Sequence, residues 1–165
     1  MSENSKTTPF DSAKYRQVLG HFPTGVTVIT AMTDDGPAGM AIGSFTSVSL
    51  DPALVLFSAS KTSASWAKLR EAGKFCVNIL ADDQEDISRV FGSKADDKFS
   101  EIGWKRSANG APLLNGVLAY IDCDLHSVLD GGDHDIILGA VTDLDVKHEG
   151  GALVFFRGGY GRVAF

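Results

Sequence analysis

The sequence predicts a mainly β fold, an antiparallel barrel carrying a few short helices. Three observations lead there. About seven stretches are β-branched or alternating, against two or three with helical spacing. Strands and helices do not follow one another in the βαβ manner that a doubly wound parallel sheet requires. From Val117 the alternation is strict: Ala119, Ile121, Cys123 and Leu125 face one way, Asp122, Asp124 and His126 the other.

In chain order, residues 1–10 read as a disordered tail and 11–165 as one domain. Asp11 is placed to cap a helix running to about Phe22. Phe10 and Tyr15 fall at the two positions of a hydrophobic staple. Tyr15, Val18, Leu19 and Phe22 share one face of that helix, and Pro23 ends it. Gly25–Thr33 reads as a strand, and Asp34-Asp35-Gly36-Pro37 as the turn into the next, Ala38–Ile42. Gly43–Ser49 is a dense run of hydroxyls and small residues before Asp51-Pro52, and Leu54–Ser58 is a further strand.

Ser63–Ala72 reads as a helix closed by Gly73, and Phe75–Leu80 as a short strand. Asp82 and Glu85 have capping-box spacing ahead of a helix bearing Ile87, Val90 and Phe91, with Gly92 at its end. Lys94–Lys105 reads as a turn or two of helix in a surface loop. Two long strands follow, from Val117 and over Asp135–Val146, joined by a turn at Asp130-Gly131-Gly132-Asp133. The chain closes with Ala152–Arg157 and a glycine-rich end.

The composition excludes several classes. Fifteen basic and 21 acidic residues give a net charge of −6, which argues against nucleic acid or an anionic membrane as partner. No apolar run approaches the ~20 residues that cross a bilayer. The N-terminus lacks the apolar segment of a signal peptide, so a cytoplasmic setting is expected. Cys76 and Cys123 have no CxxC partner and read as buried thiols, and the four histidines are scattered, so no metal site is expected.

Two corners carry candidate chemistry. The Gly43–Ser49 run is one. The other is Ser60-Lys61-Thr62-Ser63, which opens a helix and joins hydroxyls and a cation to free N–H groups, a phosphate seat. About one strand apart, the two corners suit the two ends of one elongated anionic ligand; they also read as ordinary serine-rich turns. The chain has no GxSxG, no P-loop and no GxGxxG, so a nicotinamide cofactor would not bind in the Rossmann manner.

The N-terminal FPTGVTVIT, the SFTSVSLDP run, FCVNIL and the late GGDH, in this order between Phe22 and Tyr160, resemble the short-chain flavin reductases. These are the reductase components of two-component flavin-dependent monooxygenases. The resemblance implies an FMN-binding split β-barrel of Greek-key type, working as a homodimer. It implies hydride transfer from NADH or NADPH to FMN or FAD, with reduced flavin supplied to a separate oxygenase component. Such chemistry belongs to the cofactors, and the protein stacks and orients two rings.

Carried over by resemblance, the segment Gly43, Ser44, Phe45, Thr46 and Ser47 lies along the flavin ring and ribityl chain. The family pattern often has asparagine where this chain has Gly43. Ser60, Lys61, Thr62 and Ser65 seat the phosphate, His134 stands beside the reacting rings, and Tyr160 closes over the same site. Phe91 and Phe99 are expected in the core. Two alternatives stay open on these residues: an FMN-dependent oxidase of the same fold, and a non-catalytic flavin-binding or electron-carrying module.

Overall fold

A computed structural model describes residues 10–163. Helix α1 (Ser12–Leu19) leads through β1 (Thr24–Gly25) to a hairpin of β2 (Thr27–Thr33) and β3 (Gly36–Ile42). A second hairpin, β4 (Thr46–Leu50) and β5 (Ala53–Ser60), precedes α2 (Ala64–Ala72), β6 (Lys74–Ile79) and α3 (Glu85–Phe91). Short strands β7 (Trp104–Arg106) and β8 (Pro112–Leu114) pair with each other. The long hairpin of β9 (Ala119–Gly131) and β10 (His134–Val146) follows, then β11 (Ala152–Phe156) and β12 (Gly159–Val163).

Seven strands form one antiparallel sheet in the order β3-β2-β6-β9-β10-β5-β4. A smaller sheet has the order β1-β11-β12. The mainly β antiparallel expectation holds, but the barrel ladder is not closed: β3 and β4 are its two ends. Three residues, Gly43, Ser44 and Phe45, join those two ends. The sheet therefore comes round on itself through a tight corner of chain rather than through hydrogen bonds. Its inner face holds one core drawn from both halves, with Ile29 and Ile42 beside Phe57, Phe75 and Ile137. Phe57 meets Trp66 and Phe75 edge-on, at 6.0 and 5.4 Å between ring centres.

A second core lies on the other side of β2 and β6, where α3 and the β7–β8 hairpin cover Val28, Cys76 and Leu80. Asn78 is fully buried there and fully used. Its amide donates to Val28 O and Thr30 Oγ1 (both 3.1 Å), and its carbonyl accepts from Leu114 N (2.9 Å).

Several expectations need correction. Val26 interrupts the Gly25–Thr33 strand, and β1 turns away to pair with β11. The run expected as a corner over 43–49 is a corner only to Phe45; Thr46–Leu50 is an edge strand, bulged between Ser47 and Ser49. Asp11 caps α1 through Ala13 N at 2.9 Å, but the helix stops at Leu19 and Phe10 stays 90% exposed, so no staple forms. The rest of the expected tail lies outside the described residues. α3 starts at Glu85 rather than Asp82, because Gln84 Oε1 takes Ala81 N and Asp82 N donates to Gly151 O. Lys94–Lys105 contains no helix. Asp122 does face away from Cys123, yet that face is covered too: Asn109 of the β7–β8 hairpin donates its N–H to Asp122 Oδ2 at 3.0 Å.

Candidate functional site

Three separately read segments meet at the C-terminal end of β5. Ser44 grips one edge of that strand, donating to Ser58 O at 3.1 Å and accepting from Ser58 N at 3.0 Å. On the other edge His134, at the start of β10, is the ladder partner of Ser60. Ser58 and Ser60 lie on one strand two residues apart, about 7 Å. The hydroxyl corner, the phosphate corner and the GGDH turn are thus brought together.

The turn is fixed to the phosphate corner twice. Lys61 N donates to Asp133 O at 3.0 Å, and the Lys61 ammonium pairs with Asp130. That bond holds the Lys61 amine above its ordinary range and the Asp130 carboxyl below its own. Asp133 is also held low, by the hydrogen bond from His134. His134 Nδ1–H donates to Asp133 Oδ1 at 2.7 Å, and because a carboxylate only accepts, Nε2 carries no role in this bond. Asp135 then ties the hairpin to α2: Trp66 Nε1 donates to its Oδ2 at 2.8 Å, and Arg70 lies 3.6 Å from the same oxygen.

Ser60 Oγ and Thr62 Oγ1 are 3.0 Å apart, and Thr62 N donates to Ser60 Oγ. Ser63 caps α2, accepting from Trp66 N at 3.2 Å, and Gly73 ends that helix in the left-handed region at φ +70. Ser60, Thr62 and Ser65 open onto a cleft of about 570 Å³, bounded by β3 on one side and by residues 91–99 on another. Phe91 and Phe99 stand in the wall of that cleft as core residues, edge to face at 5.0 Å.

The cation that faces these hydroxyls is Lys98, which the sequence reading missed. Its ammonium donates to Ser65 Oγ (3.2 Å), Phe91 O (3.1 Å) and Gly39 O (3.3 Å). Among the described residues no carboxylate lies within ion-pair distance of it. Burial pushes its pKa down, and the charge of Lys68 adds to this. Beside it Asp97 makes an Asx turn, accepting from Phe99 N and Ser100 N, which fixes the backbone that carries Lys98.

The remaining residues are placed as follows. Phe45 packs on the first core, while Thr46 and Ser47 are exposed on β4. At Gly43 a Cβ would stand 3.1 Å from Thr24 Oγ1, so the polar atom at that corner belongs to Thr24. Lys61 is outside the cleft wall, held by Asp130. Tyr160 is not brought to this site: its hydroxyl meets Ser88 Oγ at 2.8 Å, and Arg89 lies 5.0 Å over its ring.

The donor set fits a phosphorylated ligand, since hydroxyls, a helix N-terminus and an uncompensated ammonium converge on one cleft. Comparison with known proteins agrees. Residues 19–164 match the family described as flavin reductase like domain. The chain is 54% identical to a flavin reductase of Pseudomonas putida over 93% of its length and 91% of that protein's. It is 49% identical to the reductase subunit HsaB of a flavin-dependent monooxygenase from Mycobacterium tuberculosis, over 91% of this chain and 81% of the other. Among solved structures it resembles the NADH:FAD oxidoreductase SgcE6 of Streptomyces globisporus, in complex with NAD and FAD fragments. The TM-score is 0.88 at 37% identity, with 93% of each chain covered.

Proposed function

The chain belongs to the flavin reductase-like family, as a reductase component that supplies reduced flavin to a separate monooxygenase, and from that premise we propose how its own residues do this. The observation that carries the proposal is the meeting of Ser44, Ser60 and His134 around the end of β5. Ser60 and His134 stand on rigid strands, and Ser44, in the corner between β3 and β4, is held to one of them by two hydrogen bonds with Ser58.

When bound, flavin supplies the hydride acceptor and NADH the hydride donor. Gly43, Ser44, Phe45, Thr46 and Ser47 line the flavin ring, offering main-chain N–H groups and hydroxyls where negative charge accumulates. Ser60, Thr62 and Ser65 receive the flavin phosphate, with the charge of Lys98 behind Ser65. His134 orients the nicotinamide through Nε2, while Asp133 holds Nδ1 and so fixes the ring. Lys61 acts on the hairpin that carries His134 rather than on the phosphate.

The exposed apolar patch of α1 and the turn that follows it supports a homodimer. Tyr15, Val18, Leu19 and Phe22 are 50–74% exposed in the single chain, a face that a second copy would cover. The family match over 19–164 supports the single-domain reading of 11–165. Among the described residues no helix is long and apolar enough to cross a membrane, and use of NADH favours the cytoplasm.

Mixing the protein with NADH and free FMN or FAD, and following the nicotinamide absorbance, tests the assignment. Sustained oxidation of NADH is the expected result. A single stoichiometric bleaching without turnover would turn the assignment toward an electron carrier.

A further inference from the structure

Three carboxylates stand at the β9–β10 turn, and each meets a different partner. Asp130 takes Lys61, Asp133 takes His134, and Asp135 takes α2. The first two lie on the surface. Asp135 does not: its side chain is 13% exposed. On β10 it alternates with His134, so it points to the inner face of the sheet, where its ladder partner is the buried Ala59.

That inner face is apolar, with Phe57, Leu69 and Ile137 in one core with Trp66, so a carboxylate there needs partners. Trp66 Nε1 donates to Asp135 Oδ2 at 2.8 Å, and Arg70, one turn further along α2, lies 3.6 Å from the same oxygen. Trp66 is buried and its indole N–H can only donate, so Asp135 in turn gives that group its acceptor.

The pair lies between the two substrates. Trp66 follows Ser65, at the flavin phosphate seat, and Asp135 follows His134, which orients the nicotinamide. One hydrogen bond thus joins the chain neighbours of the residues that hold the two ligands. Apolar packing has no direction, whereas this bond fixes where the indole edge lies, and with it the rotation of α2 about its own axis. Ser65 stands ~100° round the helix from Trp66, so the same bond aims its hydroxyl.

We propose that Asp135 is a positioning residue for hydride transfer: through Trp66 and α2 it holds the flavin phosphate seat in register with His134, and so sets how the two rings overlap. This rests on the flavin phosphate lying at Ser60, Thr62 and Ser65 and the nicotinamide at His134. The transfer moves two electrons and one proton from NADH to flavin, leaving NAD+ and reduced flavin. Asp135 points away from both ligands, so its loss costs rate and not binding.

The test is single-turnover reduction of bound flavin by NADH without oxygen, with flavin affinity measured on the same preparations. Trp66→Phe keeps a ring in the core and removes the N–H. Its reduction rate at saturating NADH should fall ~10-fold, because small misplacements of reacting atoms are costly. Affinities for flavin and NADH should change less than about threefold. Asp135→Ala should show the same fall, and Asp135→Asn, which keeps a carbonyl for the indole, should recover most of it. In the double variant Trp66→Phe/His134→Ala, reduction should be no slower than in His134→Ala alone, since the bond acts through the histidine's hold on the nicotinamide.

A wild-type reduction rate in Trp66→Phe overturns the proposal. So does flavin binding weakened about tenfold alongside the slower reduction, since the pair would then only hold up the seat. Losses that multiply in the double variant overturn it too, because the pair would act independently of His134. If Asp135→Ala does not fold, Trp66→Phe and the double variant decide. Failure of the wild-type protein to reduce flavin with NADH is a different result, and it strikes the reductase reading itself. An unchanged rate in His134→Ala strikes the placing of the nicotinamide, and the proposal falls with it.

Discussion

His134 sits directly across the β5–β10 ladder from Ser60, so the histidine of the GGDH turn and the first hydroxyl of the phosphate corner are the two ends of one rung of the sheet. Their separation is set by backbone hydrogen bonds, not by side-chain packing. A ligand seated on Ser60 therefore lies at a fixed distance from the imidazole.

Substituting His134 by alanine should lower NADH turnover by ~10²-fold while flavin still binds, because small misplacements of reacting atoms are costly. Turnover, flavin affinity and melting temperature measured on one preparation check this. Equal loss of all three would make His134 a structural residue. Asp133→Asn, which leaves the ring but alters its hydrogen bond, should show a smaller fall in turnover.

Lys61→Ala should act on the hairpin more than on the flavin. The Lys61–Asp130 pair is exposed and salt-screened, so melting temperature should hardly move. We expect turnover to drop with flavin affinity changed less than about threefold. A fall in flavin affinity of about tenfold or more would return Lys61 to the phosphate seat.

Asn78→Ala should be among the most damaging single changes in the core. It strips a partner from Leu114 N and from Thr30 Oγ1 in a site that water does not reach. A loss of roughly 3 kcal/mol in denaturant unfolding is expected. A loss under 1 kcal/mol would mean that those groups find other partners.

The buried thiols make the fold sensitive to alkali. Burial pushes Cys76 up, and pushes Cys123 up to about 12 from 9.0. An unfolded chain loses these protons above pH 9 while the folded chain keeps them. The stability they contribute is thus complete below pH 9, falls as pH rises, and for Cys123 is gone past about 12. Each thiol steepens the decline by roughly 1.4 kcal/mol per pH unit. Unfolding curves between pH 8 and 11 test this, and Cys123→Ala should flatten the slope. Neither thiol should react with a disulfide reagent at pH 8 while the protein is folded.

Leu19→Asp and Phe22→Asp each place a carboxylate on the exposed apolar patch formed by α1 and the turn after it. Wild-type protein at micromolar concentration should scatter light as twice the chain mass of 17.5 kDa, and the variants as one chain. A wild-type monomer would leave that face without a second copy.

How much was legible in the sequence follows from where each signal resides. Gly73 and Ser63 announced α2 because capping is local chemistry. The β9–β10 hairpin was visible because alternation has a period of its own. Which strands are neighbours is not local: nothing in the order of residues says that Ser60 will face His134. Lys98 was hidden for the same reason, since its value lies in Ser65, Phe91 and Gly39 arriving from three elements. Asp122 misled in the opposite sense, because alternation tells which face a residue takes but not whether that face is later covered. Thr46–Ser49 read as a corner because small hydroxyl residues suit turns, and pairing with β5 overrode the preference.

Asp135 links Trp66 and Arg70 of α2 to the hairpin that carries His134, so the helix beside the cleft and the strand bearing the histidine move as one body. Such a platform works like a workbench and not like a clamp. Ligands come and go at rates set by their contacts, without waiting for a domain to swing. For an enzyme whose product must leave to serve another protein, the dwell time of that product caps the throughput. Contacts that prolong the stay should slow the enzyme, and its best variants should hold flavin only moderately well.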